Sequence, residues 1–427
     1  MVIAGALLSG CIAEDGPEYD VPARKQFSDA QLEVDADGSL VILAGVNLNY
    51  GTKAKLDRYD QKYRTPNVET VIYTGEAGAW ESHPFRNLQP GYGSKSFLAR
   101  NGKGEIQPMI WNRNGYTLFA RSGGDWIPKA NFRKDGLAYL SNYYAGGFGP
   151  DMQSNIILTG DSLWQSVAPY FTSHSDVLVS NRGAVTVLDT SIQFFSRAGF
   201  TGKENSVIVG VGYPWDSRLD TVSGTYCYIL SRDPAAPEPR RQLLFRTSGF
   251  VKVIFARISG EDRFYIPEFQ DSLNEYAIRG KEVIRLGRIA TGSEHPADSV
   301  PGPRSSYTDF INRISVGPDR CVDILSPIVP PYDSVKYNSE AESYRHTNSC
   351  RSGEDTLYFP TETLLHKGPV LASEIRYAAD GNPMVLFTFV EQWNQFYGNE
   401  SVIGASWLYL AKLSSGGKWA WEKVAEY

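Results

Sequence analysis

Charge is sparse in this chain. Asp, Glu, Lys and Arg make up 21% of its 427 residues, no extended block of lysine and arginine occurs, and the formal net charge is -6. A nucleic-acid ligand needs a basic face, so that partner class is excluded at this level. A polyanion is not, because a local basic site can sit within an acidic total. Long apolar runs are also missing: beyond the first ten residues nothing approaches the roughly 18 needed to span a bilayer as a helix. Cysteine is rare, at four, and none has the spacing of a metal site, so no metal or other cofactor is expected.

Aromatics and glycine are abundant. The 25 Tyr, 20 Phe and 9 Trp suit half-buried pleated surfaces, and the 40 Gly suit the turns between strands, so the chain reads as all-β. Its length allows two domains or one large closed β architecture.

The start, MVIAGALLSGCIAEDG, is an apolar stretch ending in Leu8-Ser9-Gly10-Cys11 and turning abruptly polar. It resembles the lipobox of bacterial lipoproteins, in which the cysteine matching Cys11 is diacylated and becomes the mature N-terminus. The alternative is a plain apolar strand with an incidental cysteine. The basic residues that normally precede such a signal are absent, which implies an upstream start codon. The resemblance implies an exported lipoprotein, periplasmic or at the outer-membrane surface, touching membrane only through its lipid, and Ile12 after the cysteine suits outer-membrane sorting. Residues 1–11 are then the signal remnant, 12–30 a tether and 31–427 the folded domain. In an oxidising compartment Cys321 and Cys350 can close a long loop, worth roughly 3 kcal/mol. Cys227, in TYCYIL, reads as a buried small apolar residue.

Two units recur. One is an apolar strand, a small-residue turn and usually an aromatic: VIYTGEAGAW (71–80), TLFARSGGDW (117–126), NIILTGDSLW (155–164) and LYLAKLSSGGKW (408–419), with weaker copies at 192–200, 243–250 and 283–292. The other is a strand breaking at an Asp, Asn or Gly turn into a second strand, as in LEVDADGSLVIL (33), FLARNGKGEIQPM (97), VLVSNRGAVTVL (177), IFARISGEDRFYI (254), RISVGPDRCVDIL (313) and IRYAADGNPMVLF (375). They alternate with a mean period of about 40 to 50 residues, that of a propeller blade. One β-propeller is expected, with the hairpin unit giving the first two strands of a blade. Counting gives seven or eight blades; seven is preferred because an incomplete first unit can close onto the last blade as a ring-sealing strand. A pair of β-sandwiches is the alternative.

The turn and aromatic resemble a degenerate Asp-box of sialidase-like (BNR) propellers. Ser122, Gly124 and Trp126 match it loosely, as do Ser415, Gly417 and Trp419, while the Asp is lost or moved. The resemblance implies that the box is scaffold, with its Trp packed between blades. It implies fold far more than activity.

Blade topology places the short hairpin turns on one face and the long connections on the other. The long insertions are 141–154, 212–224, 326–355 and 389–406, and function gathers where long loops gather. The five histidines are expected there too: His83, His174, His295 and His366 before innermost strands, and His346 in the longest loop. His174, two residues before Asp176, is the first candidate catalytic residue, and His83 with Arg86 and Tyr92 the second. A His, Tyr and Arg set suits a polysaccharide lyase, in which Arg neutralises a uronate carboxylate while His or Tyr removes the adjacent proton. Some ulvan and related lyases are propellers similar to this class, but their tandem-His motif is missing: IWNRNGY has Asn112 in its place. A sialidase entry motif is also missing, and paired glycosidase carboxylates are not placed.

Aromatic faces in the long loops suit sugar rings, with polar neighbours for hydroxyls. Tyr144, Trp215, Arg218, His346, Trp393 and Tyr397 are the candidate substrate-binding residues. The expectation is a monomeric, surface-anchored propeller acting on a polysaccharide as lyase or glycosidase, or else a non-catalytic lipoprotein binding glycan or protein.

Overall fold

A computed structural model of the chain describes residues 24–49, 67–76, 78–85, 96–101, 103–112, 115–133, 156–159, 162–170, 173–180, 185–189, 192–201, 205–214, 224–231, 240–246, 253–269, 272–291, 313–328, 343–351, 353–364, 370–394 and 401–427. Their strands pair into seven antiparallel sheets, each from consecutive strands. The first holds β1 (Arg24–Val34), β2 (Leu40–Asn49), β3 (Asn67–Glu76) and β4 (Ala79–Phe85); the second β5 (Phe97–Arg100), β6 (Ile106–Asn112), β7 (Gly115–Ser122) and β8 (Asp125–Arg133). The third holds β9 (Ile156–Thr159), β10 (Ser162–Tyr170), β11 (Ser173–Ser180) and β12 (Val185–Asp189); the fourth β13 (Ile192–Thr201), β14 (Asn205–Pro214), β15 (Gly224–Ser231) and β16 (Arg240–Arg246). The fifth holds β17 (Ile254–Ile258), β18 (Glu261–Phe269), β19 (Ser272–Arg279) and β20 (Glu282–Ala290); the sixth β21 (Arg313–Val316), β22 (Val322–Ile328), β23 (Ser343–Asn348) and β24 (Glu354–Tyr358). After a single helical turn, α1 (Thr361–Leu364), the last sheet has β25 (Val370–Ala372) and β26 (Arg376–Tyr377) side by side along β27 (Pro383–Asn394), then β28 (Ser401–Leu413) and β29 (Trp419–Glu426).

First strands touch first strands: β1 meets β5, β5 meets β9, β9 meets β13 and β17 meets β21. They form the inner ring, and the fourth strands form the rim. The fold is a single all-β propeller. Where side chains are described, those on one face of a sheet pack into the gap to its neighbour, as alternation along strands requires. Val207, Val209 and Cys227 of the fourth sheet pack on Phe264, Ile266 and Tyr276 of the fifth. Cys227 is a free, buried thiol, and burial in this apolar gap pushes its pKa up.

Five corners share one hydrogen-bond pattern: Asp35 to Ser39, Asn101 to Glu105, Gly317 to Cys321, Ala378 to Asn382 and Ser414 to Lys418. In each, the fourth residue's amide donates to the first carbonyl, and the first amide donates to the fifth carbonyl. The fourth residue needs a left-handed backbone, which explains the recurring Gly38, Gly104, Gly381 and Gly417. At the sixth sheet this place is taken by Arg320, at φ 66. A side chain there costs about 1 kcal/mol or more. Next to it, Cys321 is disulfide-bonded to Cys350, tying this corner to the one between β23 and β24.

The ring closes without a shared strand. The first and last sheets are each complete from their own strands, which corrects the expectation of a ring-sealing strand. Side chains do the joining instead: Phe27, Leu32 and Val46 pack with Met384, Leu386 and Leu408. The Phe27 amide donates to Ser406 Oγ (3.0 Å), and Trp80 Nε1 donates to Glu422 Oε1 (2.6 Å). Because β1 starts at Arg24, the first strand also takes residues that the sequence assigned to a tether.

Glu33 is the polar centre of closure, accepting from Arg376 of the last sheet (2.7 Å) and Arg100 of the second (3.0 Å). Burial opposes its ionisation, but the two guanidiniums outweigh burial and hold the carboxyl below the usual carboxylate range. Such a group stabilises the fold above its unfolded pKa, near 4.3, and the contribution is lost as pH falls through the depressed folded value. Glu33→Gln should therefore cost about 2 kcal/mol at neutral pH and flatten the acid limb of the stability curve below roughly pH 4.3. Urea unfolding at a series of pH values checks both; an unchanged acid limb contradicts the assignment.

One blade is out of phase with the sequence reading. NIILTGDSLW forms the β9–β10 hairpin, and VLVSNRGAVTVL the β11–β12 hairpin, the reverse of the roles expected from their motifs. The stretch at 192–200 lies within β13, and those at 243–250 and 283–292 begin in the rim strands β16 and β20. A hairpin has the same local signature at either corner of a blade, so its phase is not written in its own residues.

Candidate functional site

The two ends of the propeller differ. Corners between first and second strands, and between third and fourth, are short except at 232–239. Connections at the opposite end include 50–66, 86–96, 134–155, 215–223, 291–312, 329–342, 359–369 and 395–400. Arg86, Tyr92, Tyr144, Trp215, Arg218, His295, His366 and Tyr397 fall in these connections and, like Cys11, lie outside the described residues.

The other candidates are on strands. His174 is the second residue of β11, the third strand of its sheet, and so does not precede an innermost strand; it starts from the end carrying the long connections. His83 is on the rim strand β4, opposite Ile72, with Nε2 3.3 Å from Thr74 Oγ1. That is a correction too, since the rim is the part of a blade furthest from the axis. Trp393 is paired with Val402 in the β27–β28 ladder, close to the 395–400 connection, and not in a loop.

His346 moves furthest from its expected place. It is on β23, two residues before the strand's end at the short-turn side, and only 2% exposed. Its Nε2–H donates to Asp323 Oδ1 (2.8 Å), which also accepts from Asn348 Nδ2 (2.8 Å). Asp323 Oδ2 accepts from the Tyr377 hydroxyl of the next sheet (2.9 Å). The His346 ring stands edge-on to Trp419, also in the next sheet, with centroids 5.1 Å apart. A His–Asp pair is a familiar general-base arrangement, but a base must reach a substrate proton. Here both members are 3% exposed in their side chains, so the network ties the sixth sheet to the seventh rather than forming a catalytic centre.

The same device recurs one sheet earlier. Glu275, 1% exposed, accepts from Arg263 Nη1 (2.7 Å), the Tyr265 hydroxyl (2.9 Å) and, from the next sheet, Arg320 Nη2 (2.6 Å). Burial works against its ionisation, yet these donors together hold its carboxyl below the usual range. Thus Glu33, Glu275 and Asp323 each take a donor from the inner strand or hairpin of a neighbouring sheet. Sequence reading missed all three. The one available signal was Arg320, a non-glycine in the left-handed place that glycine fills in four sister corners.

No family model matches the chain, and no curated protein matches it. Among solved structures, it is similar to the β-propeller domain of the Trilobed protease from Pyrococcus furiosus, at 10% identity over 94% of this chain and 98% of that one, TM-score 0.40. It is also similar to the Aleuria aurantia lectin in complex with Fucα1-6GlcNAc, at 11% identity over 93% and 96%, TM-score 0.36. A third is the SapL1 lectin in complex with α-methyl fucoside, at 11% identity over 81% and 98%, TM-score 0.33. The fold assignment here rests on the chain's own sheets.

Proposed function

We propose that the chain is a glycan-binding propeller of seven blades, one per sheet, held at a bacterial surface by a lipid on Cys11. The observation that carries this reading is where the longer connections gather: apart from 232–239 they leave the end opposite the short corners, beside the two-residue connections 113–114, 171–172, 190–191 and 270–271, and they bear aromatics. Tyr144, Trp215 and Tyr397 belong to those connections, Arg218 is among them, and Trp393 and His174 lie on strands at that end. Flat aromatic faces stack on sugar rings, and arginine forks a uronate carboxylate. Turnover as a lyase would use Arg86 or Arg218 on the carboxylate with His174 or His83 as base.

A panel of neutral and uronate polysaccharides, run in affinity gels with the full chain, tests binding. Retardation by at least one polymer is expected, and Trp393→Ala should weaken it about tenfold, the scale of one lost stacking contact. New reducing ends, or the ultraviolet absorbance of an unsaturated uronate, would add catalysis. A chain retarded by no polymer overturns the reading.

A further inference from the structure

Of the five corners that share one hydrogen-bond pattern, the one with a side chain in the left-handed place is also the one that carries a cysteine. Arg320 stands at φ 66 and its amide donates to the Gly317 carbonyl (2.9 Å), while Cys321 beside it closes the corner by accepting from the Gly317 amide (2.8 Å). Cys321 is in turn bonded to Cys350. That crosslink is in register with the β22–β23 ladder. Asp323 pairs with Asn348; the Val322 amide donates to Ser349 Oγ (2.8 Å) and the Ser349 amide to the Val322 carbonyl (2.9 Å); the two cysteines are the next rung.

Residues within two positions of this rung join the sixth sheet to both of its neighbours. On one side Arg320 Nη2 donates to Glu275 of the fifth sheet (2.6 Å). On the other, Asp323 accepts from Tyr377 of the seventh (2.9 Å) and from Asn348 Nδ2 (2.8 Å), while Asn348 Oδ1 accepts from the Cys350 amide (2.9 Å). Both seams therefore lean on the same pair of corners. A crosslink that acts only by constraining the unfolded chain stabilises every sheet alike. This one is placed to hold a left-handed arginine, and the groups beside it, within the folded chain.

We propose that the Cys321–Cys350 bond is a redox latch for the sixth sheet: oxidised, it keeps that sheet joined to the fifth and seventh, and its reduction by a dithiol loosens both seams while the ring stays folded. The two cysteines differ in access, since Cys350 is in an exposed turn and Cys321 is 4% exposed. Exposed disulfides are the labile class. One thiolate of the dithiol attacks the Cys350 sulfur, forming a mixed disulfide and expelling Cys321 as a thiolate that takes a proton from solvent. The second thiolate then attacks the reductant's own sulfur in that bond, so Cys350 leaves, is protonated in turn, and the dithiol becomes a cyclic disulfide. Two electrons pass to the protein. The Asp319 carbonyl, 3.9 Å from the Cys321 sulfur, is an acceptor at hand for the thiol so formed, and Ser349 Oγ stands 4.0 Å from the Cys350 sulfur.

The full chain is compared oxidised and after dithiothreitol, with alkylation and mass measurement counting the free thiols under native conditions, and native-state amide exchange then reads each sheet. Exchange roughly tenfold or more faster is expected at 317–323 and 345–350 and, in the neighbouring sheets, at 272–279 and 376–384, with 40–46 and 106–112 unchanged. Re-oxidation should restore the slow rates. A chain carrying Cys321→Ala and Cys350→Ala should show the fast ones with or without dithiothreitol, and the reduced natural chain decides even where that variant does not fold. A bond that resists dithiothreitol until the chain unfolds overturns the proposal. So does reduction that leaves 272–279 and 376–384 unchanged, or that speeds all sheets alike, since either result makes the bond an ordinary staple.

Discussion

Asp323→Ala is expected to lower the unfolding free energy by about 4 kcal/mol, since it strands three donors at once in a buried site where each lost hydrogen bond leaves its desolvation uncompensated. His346, Asn348 and Tyr377 all lose their acceptor, and no water reaches a carboxylate 2% exposed to replace it. The effect should also be directional. Tyr377 is in the last sheet and the other members are in the sixth, so the substitution loosens one gap of the ring while leaving each sheet's own ladder intact. Tyr377→Phe removes only the hydroxyl that bonds across that gap, to Asp323 and Ser315, and should cost about 1 kcal/mol. In a double-mutant cycle the two changes should couple by roughly 1 kcal/mol, whereas independent effects would mean that the hydroxyl and the carboxylate do not share the bond. Urea titrations of the four proteins decide it. An Asp323→Ala variant within 1 kcal/mol of the parent would show that these sheets are held by apolar packing alone.

Much of this architecture can be read from residues that act locally. An Asp-Gly or Asn-Gly-Lys-Gly corner announces itself because the left-handed residue and the capping side chain are both within it: Asp37 Oδ1 accepts from the Ser39 amide, and Asn101 Oδ1 from the Lys103 and Glu105 amides. Five of the six hairpin units do join the first two strands of a sheet for this reason. The disulfide partners were readable as well, because only three cysteines follow the N-terminal segment and Cys227 stands in a strand-like apolar context.

What was not legible depends on residues far apart in sequence. Glu33 meets Arg376 across 343 positions and Asp323 meets Tyr377 across 54, and nothing near either carboxylate names its partner. His174 and His346 depart from their expected places for a related reason: the phase of a blade is not written locally, so the inverted phase of the third sheet takes His174 off the inner ring, and β23 within the 326–355 stretch makes His346 a core residue. Polar residues do favour loops, but a polar residue whose partner waits on the next sheet is at home in a strand.

Glu275→Ala should be as costly as the loss of Asp323, again about 4 kcal/mol, the range for stranding charge against a removed buried partner. Arg263 keeps Glu261 (2.9 Å), but the wholly buried Tyr265 hydroxyl loses the carboxylate, and Arg320 is left in a strained backbone with nothing to hold. Arg320 makes the argument sharper because two effects oppose each other there. Arg320→Gly relieves the left-handed strain, a gain of about 1 kcal/mol, and removes a charge-assisted bond to a buried carboxylate, a loss of about 2 kcal/mol even after discounting for a half-exposed guanidinium. A net destabilisation near 1 kcal/mol is therefore expected, and in the Glu275→Ala background, where there is no bond left to lose, the same glycine should instead stabilise. That reversal of sign, read from urea unfolding of the two pairs, is the decisive observation. If glycine stabilises in both backgrounds, the arginine contributes nothing across the gap, and its presence at a place that four sister corners give to glycine must be explained by something outside the fifth and sixth sheets.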